Sequence, residues 1–224
     1  MATIYFFGDS WPVGCELELA TQKPYPKLVG EMLTIPTVNC ATGGSSQLEM
    51  LPKLLSSQIQ PNDVAIFALT SPSRRFYYES NPTNCSDPII TWDFSLTTVN
   101  DFNDTWMAGL SVYALYSWCL QHQVTPYFFN LFTTSYNTEF HHLIWEEIPE
   151  DVWMLPKDTC VARELYDPEW YKQWDTLRNG DFADWLVTNN TQVNKYIKPC
   201  INHPNQAGHL VIAEMIVDHL GSTV

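Results

Sequence analysis

The sequence has 224 residues, of which 45% are hydrophobic and 14% aromatic, so it is long enough to form one globular domain with a full core. It carries 25 acidic and 11 basic residues, and the net charge of -14 excludes nucleic acid and anionic membrane surfaces as expected partners. It shows neither a signal-peptide pattern nor an apolar run long enough to span a bilayer, so we expect a cytoplasmic protein.

The first third of the chain alternates short apolar runs with segments rich in glycine, proline and asparagine, a pattern typical of strands joined by helices and loops. Ser46 and Glu49 form a capping box, which predicts a helix that begins just after Gly44 and contains Pro52 near its start. The other predicted elements here are a strand over residues 3–7, an irregular loop over 11–23, a helix over 26–33, and strands over 37–40 and 64–69.

The rest of the chain contains two more amphipathic helices and one more strand. Apolar residues at helical spacing in the first of these helices are Leu110, Tyr113, Ala114, Ser117 and Trp118. The predicted buried stripe of the last helix is Ala207, Leu210, Val211, Met215, Ile216 and Leu220, and Gly221 is its predicted terminator. The predicted elements are a long loop over residues 71–100, a helix over 106–122, a strand over 126–132 and a helix over 205–220.

This order of elements predicts an α/β sandwich with a central parallel sheet, in the strand order 2-1-3-4 with a short fifth strand. We expect a single domain over residues 1–224, with insertions at about 71–105 and 136–185. The second insertion is acidic and holds five of the nine tryptophans: Trp145, Trp153, Trp170, Trp174 and Trp185. It could form a lid or a partner surface, or an extra layer whose tryptophans pack on the sheet.

Two polar segments at opposite ends of the chain are candidates for a catalytic site. Gly8-Asp9-Ser10 follows the first strand, and open α/β sheets place their active sites at the carboxyl ends of strands. His203-Pro204-Asn205 precedes the last helix. We expect the Asp9 carboxylate to cap the backbone of its own turn.

The two segments, in this order, resemble the SGNH (GDSL-type) hydrolase family, whose fold is a flavodoxin-like three-layer α/β/α sandwich. The resemblance implies that Ser10 is the nucleophile and His203 its base. It also implies an oxyanion hole formed by the amides of Ser10 and Gly44 and by Ser71, which holds by register the place of the family's asparagine. The family's aspartate, three residues before the histidine, is replaced here by Cys200.

Serine chemistry explains why these residue types belong together. A serine hydroxyl needs an adjacent base, an imidazole has an unperturbed pKa near neutrality, and a third group normally fixes the ring. In place of the aspartate we expect a backbone carbonyl near Cys200, or an acid from an insertion such as Asp158 or Asp181. Further candidate substrate contacts are Thr70, Trp11 and Arg74. Arg74 and Arg75 form the one basic pair, which is either a solvated loop pair or a clamp for a substrate carboxylate.

The leading hypothesis is a serine esterase that removes an O-acetyl or short acyl group from a small molecule or carbohydrate, without a cofactor or a metal. The alternative is a weakened scaffold that binds a glycan or a protein partner, because two family residues are replaced. A third hypothesis is a metal-dependent hydrolase, in which His141 and His142 bind the metal with Glu139 and Glu146.

Overall fold

The computed structural model describes residues 2–15, 17, 19, 21–70, 101–131, 147–157, 160, 161, 165 and 203–223, with the backbone alone at 101–106, 222 and 223. Within these residues four strands form a parallel sheet in the spatial order β2-β1-β3-β4, which confirms the predicted order. The strands are β1 (Ile4–Phe7), β2 (Thr37–Asn39), β3 (Val64–Leu69) and β4 (Thr125–Asn130). No fifth strand occurs in the described part of the chain, although isolated parallel bridges pair Phe128 with Trp153 and Asn130 with Cys160.

The helices form one layer on each face of this sheet. The helices are α1 (Ser10–Val13), α2 (Tyr25–Leu33), α3 (Met50–Ser56), α4 (Asp101–Gln121) and α5 (Gln206–Thr223), with 3₁₀ turns at Gln47–Glu49 and Glu150–Val152. Buried residues of α2 and α5 pack on one face, and buried residues of α3 and α4 pack on the other. The described residues therefore form the expected three-layer α/β/α sandwich.

Alternation along the strands assigns each side chain to a face, because successive residues of a strand point to opposite sides. In β1, Ile4 and Phe6 belong to the core under α2 and α5, whereas Tyr5 and Phe7 belong to the core under α3 and α4. Phe7 stacks on Phe67 of β3, and Phe67 on Phe128 of β4, with 5.1 Å between ring centroids in both pairs. The sheet is therefore buried on both faces, as parallel sheets require.

The predicted buried stripe of the last helix was wrong in part, and on α4 the apolar residues that gave the helical spacing are not the buried ones. On α4, Leu110 and Tyr113 are 40% and 43% exposed, and the buried hydrophobic residues are Ala108, Val112, Leu115 and Cys119. On α5, Leu210 is exposed, and the apolar residues that are buried are Ile212, Ala213, Ile216 and Leu220. Both helices have apolar residues on more than one side, so periodicity alone did not select the side that faces the sheet.

Several predicted boundaries were also wrong. The loop predicted over 11–23 begins with α1, which Asp9 caps. The helix predicted over 106–122 begins earlier, at Asp101, and α5 continues through Gly221 to Thr223. Pro52 lies in the first turn of α3, where its missing N–H has no intrahelical acceptor to lose. The extents of both insertions stay predictions, because residues 71–100 and most of 136–185 lie outside the described residues. Among the helices described, none combines the length and apolarity that a membrane span needs.

Candidate active site

Ser10 lies just beyond the carboxyl end of β1, as the first residue of α1. Gly8 makes this turn possible, because a Cβ at that position would lie 2.6 Å from Pro12 Cγ and 3.0 Å from Ala68 Cβ. Asp9 is fully buried, and its Oδ1 accepts a hydrogen bond from the Trp11 amide at 3.0 Å. The expected capping role of Asp9 is confirmed.

The end of β3 supports the same turn. Thr70 Oγ1 donates to Asp9 Oδ2 at 3.0 Å, and Gln47 Nε2 donates to the Thr70 carbonyl at 2.7 Å. Thr70 is buried, and its hydroxyl is bonded to Asp9. Thr70 therefore braces the turn that carries the serine, and its expected contact with substrate stays a prediction.

The turn with Gly44 lies beside the serine turn. The Thr42 amide donates to the Gly8 carbonyl at 3.2 Å, and Asn39 Nδ2 donates to the Pro12 carbonyl at 2.7 Å. Ser45 N donates to the Thr42 carbonyl at 3.1 Å and closes a turn in which Gly44 has φ of 76°. Glycine favours that backbone region, since a Cβ would strain it. Among the described residues, neither the Ser10 amide nor the Gly44 amide donates a hydrogen bond.

His203 approaches the serine from the loop before α5. Its Nε2 lies 2.7 Å from Ser10 Oγ, within hydrogen-bond distance. The serine hydroxyl donates this bond when the ring carries its proton on Nδ1, the tautomer in which Nε2 can act as a base. Ser10 is 8% exposed and His203 is half-buried. The structure thus joins side chains that are separated by 193 residues of sequence.

Contacts with the segment before α2 hold the His203 loop. Gln206 Oε1 accepts from the Lys23 amide at 2.7 Å, and Gln206 Nε2 donates to the Lys23 carbonyl at 3.2 Å. Asn205 Oδ1 accepts from the Gly208 amide at 3.0 Å and so caps the start of α5. The base is therefore held by a pair of hydrogen bonds between two distant parts of the chain.

His209 is a second histidine near the base, with a different role. Its ring is fully buried, and its Nδ1 accepts from the Tyr25 amide at 3.3 Å. Burial, helped by the nearby His203, lowers the pKa of His209 to about 4. His209 is thus uncharged at neutral pH and acts as a structural link between α5 and α2.

No protein-family model matches the sequence, and no curated protein is similar to it in sequence. The structure is similar to that of a G-D-S-L family protein from Desulfitobacterium hafniense DCB-2, with a TM-score of 0.50 and 13% identity over 98% of this chain and 99% of that one. It is similar to TesA with a TM-score of 0.51 and 11% identity over 99% of each chain. A carbohydrate esterase gives a TM-score of 0.48 and 11% identity over 98% of this chain and 68% of that one.

The chain has the SGNH hydrolase fold. The sequence prediction of this fold is therefore confirmed. The four segments that carry the resemblance follow β1, β2 and β3 or precede α5, so Ser10, Gly44, Thr70 and His203 all lie at the carboxyl edge of the sheet.

The remaining predicted site residues separate into two groups. Trp11 is 1% exposed and belongs to the hydrophobic core, and its expected contact with substrate stays a prediction. The others lie outside the described residues: Ser71, Arg74, Cys200, Asp158, Asp181, and the proposed metal ligands His141, His142, Glu139 and Glu146. Within the described residues, no group of three histidine, cysteine or acidic side chains could hold a metal ion.

Four residues of this region were not singled out as site residues from the sequence. Asn39, Gln47 and Gln206 bond to backbone atoms far along the chain, and His209 bonds to Tyr25 in the same way. No local motif marks such contacts, because they depend on how separate elements dock. Only His209 had a usable signal, since a histidine on the buried face of a helix needs a hydrogen-bond partner.

Proposed function

We propose that this protein is a serine esterase in which Ser10 is the nucleophile and His203 the general base. The observation that carries the proposal is the 2.7 Å separation of Ser10 Oγ and His203 Nε2 at the carboxyl edge of a parallel sheet. A serine hydroxyl becomes reactive when a base lies within hydrogen-bond reach of its proton. The SGNH hydrolase fold supports the proposal but does not establish it, because one fold can host many functions.

In the first half of the reaction, Ser10 Oγ forms a bond to the ester carbonyl carbon while its proton moves to His203 Nε2. The carbonyl π electrons move to the carbonyl oxygen, which becomes an oxyanion. When the tetrahedral intermediate collapses, the bond from carbon to the alcohol oxygen breaks. The alcohol leaves with the proton that His203 returns, and the acyl group stays on Ser10.

The oxyanion needs donors that are already in place. The Ser10 and Gly44 amides fit this role, because both belong to turns at one edge of the sheet that are linked by the Thr42–Gly8 hydrogen bond. Each such donor contributes about 3–4 kcal/mol to the transition state. Ser71 is proposed as a third donor on its register alone, since it directly follows Thr70.

In the second half, a water molecule attacks the acyl carbon and gives a proton to His203 Nε2. The bond between carbon and Ser10 Oγ breaks, Oγ takes the proton from His203, and the acid is released. His203 requires an acceptor for its Nδ1 proton in both halves. A carbonyl near Cys200, or the carboxylate of Asp158 or Asp181, is proposed for that position.

We propose an O-acetyl or short acyl ester as the substrate class, on a carbohydrate or another small molecule. The support is the sequence of residues 139–185, where the tryptophans other than the buried Trp153 could stack on sugar rings. The net charge of -14 further favours a neutral or cationic substrate over an anionic one.

Labelling with a fluorophosphonate probe tests the proposal directly. The folded wild-type protein should gain one adduct by intact mass, located on Ser10 by peptide mapping, and Ser10→Ala should gain none. His203→Ala should label at least about 100-fold more slowly, since a positioned general base contributes 10²–10⁴-fold. Ser56→Ala, which alters an exposed serine of α3, is the matched control and should label like the wild type.

An unlabelled wild type, or equal labelling rates for wild type and His203→Ala, would contradict the proposal. Turnover of p-nitrophenyl acetate, absent in Ser10→Ala, should accompany labelling.

The second candidate function is a binding module for a glycan or a protein. The observation that favours it is Cys200 at the position of the family's aspartate, because a base without a carboxylate partner stabilises its charged form less well. This candidate requires no turnover of acetyl esters. It also requires equal affinity of wild type and Ser10→Ala for an oligosaccharide panel measured by calorimetry.

A further inference from the structure

A polar cluster lies directly behind the turn that carries Gly44. Ser45 is fully buried, and its Oγ donates to Glu49 Oε2 at 2.6 Å. The same Glu49 oxygen accepts from the Ser46 amide at 3.0 Å, as the predicted capping box requires. Lys53 Nζ donates to Ser45 Oγ at 2.8 Å, so a hydrogen-bonded chain runs from Lys53 through Ser45 to Glu49.

This cluster restrains Ser45, the residue that follows Gly44. Lys53 and Glu49 hold its side chain, and Glu49 also holds the backbone amide of Ser46. A buried hydroxyl that donates one bond and accepts another has little freedom to rotate. Because Ser45 N also closes the Gly44 turn onto the Thr42 carbonyl, any movement of Ser45 moves the Gly44 amide. Small displacements of a positioned catalytic group are costly, since an error of about 1 Å can lower a rate by about 10²-fold.

We propose that the Lys53 ammonium is a positioning group, which fixes the Gly44 turn through Ser45 and makes the oxyanion hole depend on the charge of Lys53. This inference rests on the proposed function, because it assigns a role to the Gly44 amide. Lys53 is not a catalytic residue, since it acts on the reacting atoms only through Ser45 and the turn.

The surroundings of Lys53 make its charge sensitive to pH. Partial burial lowers the pKa of Lys53, while Glu49, Cys40 and Asp9 act against that shift. The ammonium therefore loses its proton at a lower pH than an exposed lysine would. When it does, the donor to Ser45 Oγ becomes a neutral amine, and the hydrogen bond that links the Gly44 turn to α3 loses its charge and weakens.

Fluorophosphonate labelling of Ser10 between pH 7 and 10.5 tests the inference. Lys53→Met should label about 10-fold more slowly than wild type at pH 7, less than the 10²–10³-fold lost when an oxyanion donor is removed outright. Lys53→Arg, whose charge persists throughout this range, should restore most of the rate. Wild-type labelling should fall at alkaline pH, with a midpoint below the ordinary lysine pKa. This fall should be absent in Lys53→Arg.

Three further variants test whether the change in labelling comes from Lys53 acting through Ser45. Lys27→Met alters an exposed lysine of α2 and should leave the rate and its pH profile unchanged. Cys40→Ser should keep the alkaline fall, because burial raises the pKa of the Cys40 thiol and could otherwise mimic it. Ser45→Ala should match Lys53→Met, because both interrupt the same chain of hydrogen bonds.

A readout that needs no activity separates this inference from the proposed function. In ¹³C-detected NMR spectra, the Gly44 resonances should titrate with the midpoint of Lys53 Cε in wild type and should not titrate in Lys53→Arg. The inference is overturned if wild type, Lys53→Met and Ser45→Ala label Ser10 at equal rates. It is also overturned if the Gly44 resonances do not follow the Lys53 titration while Ser10 still labels. A wild type that does not label at all overturns the proposed function first, and the oxyanion role of Gly44 with it.

Discussion

The serine side and the histidine side of the site are held by different kinds of contact. Ser10 follows a strand in a turn that is fixed within a few residues, by the close approach of Gly8 to Pro12 and by the Asp9 cap. His203 lies on a loop that is fixed by Gln206 and His209 to residues 183 and 184 positions away. The serine is therefore positioned largely by local sequence, and the histidine by the docking of α5 against α2.

This difference implies that the two sides fail in different ways. A change on the serine side should cost stability, because its polar groups are buried under the strand ends. A change on the histidine side should slow the reaction of Ser10 more than it lowers the free energy of unfolding, since the loop can move away from Ser10 while the sheet stays folded.

The largest effect is expected on the serine side, from Asp9→Ala. The change removes the cap of the Trp11 amide and the acceptor of the Thr70 hydroxyl, both of which are buried. Loss of a helix cap and an unpaired buried hydroxyl together should lower the free energy of unfolding by about 3 kcal/mol, measured by urea denaturation. Asp9→Asn keeps an acceptor oxygen and should lose less; a loss below about 1 kcal/mol for Asp9→Ala would show that the cap is dispensable.

An acid-sensitive link is expected between α5 and α2. The folded-state pKa of His209, about 4, lies below the ordinary 6.5, so the unfolded chain takes up the proton first as the pH falls. The stability contributed by the neutral ring is present above pH 6.5 and is lost progressively down to about pH 4. At pH 5 the loss should be about 2 kcal/mol relative to pH 7.

Urea denaturation at pH 7 and pH 5 measures this loss. His209→Asn, whose side-chain oxygen can accept from the Tyr25 amide, should lose about 2 kcal/mol less between the two pH values than wild type. His122→Asn, at an exposed position at the end of α4, should keep the full loss. The link is refuted if the two variants have the same pH dependence.

A smaller effect on stability is expected from Gln206→Ala. The change removes two hydrogen bonds to the Lys23 backbone and should lower the free energy of unfolding by about 1 kcal/mol. Labelling of Ser10 should slow by about 10-fold, because the His203 loop loses its tether to α2. Gln206→Glu keeps the acceptor for the Lys23 amide and should be intermediate; labelling at the wild-type rate in Gln206→Ala would locate the restraint on His203 elsewhere.

The smallest effect is expected from Lys23→Ala. The Lys23 ammonium pairs with Glu31 at 2.8 Å, but the two side chains are 37% and 47% exposed. Solvent screening reduces such a pair to about 0–0.5 kcal/mol. The bonds with Gln206 use the Lys23 backbone, so labelling should stay unchanged; slow labelling would mean that the side chain itself holds the loop.

The sequence was sufficient where a signal is local. Short apolar runs and the Gly8-Asp9-Ser10 turn predicted β1, β3 and the place of the serine, because each depends on neighbours within a few residues. The capping box predicted the Ser46–Glu49 contact for the same reason. His203 was predicted only through the resemblance to a known family, and its distance to Ser10 follows from the fold.

The sequence was insufficient where contacts between distant parts of the chain decide which side chains are buried or hydrogen-bonded. Leu110 and Tyr113 have the spacing of a buried stripe, yet Val112 and Leu115 face the sheet, because α4 has apolar residues on more than one side. The turn after β1 directs Trp11 into the core, and no local pattern marked it as buried. Gln206 gave no signal, since its partner is a backbone that only tertiary structure brings near.

The separation of Lys23 and Gln206 along the chain has a consequence for synthesis. Neither bond between them can form until the intervening residues have left the ribosome, whereas β1 and the serine turn emerge before those residues. During translation the hydroxyl is thus present long before its imidazole arrives. The growing polypeptide carries a serine without its base, and the Ser10–His203 pair forms only after the residues between them have been synthesised.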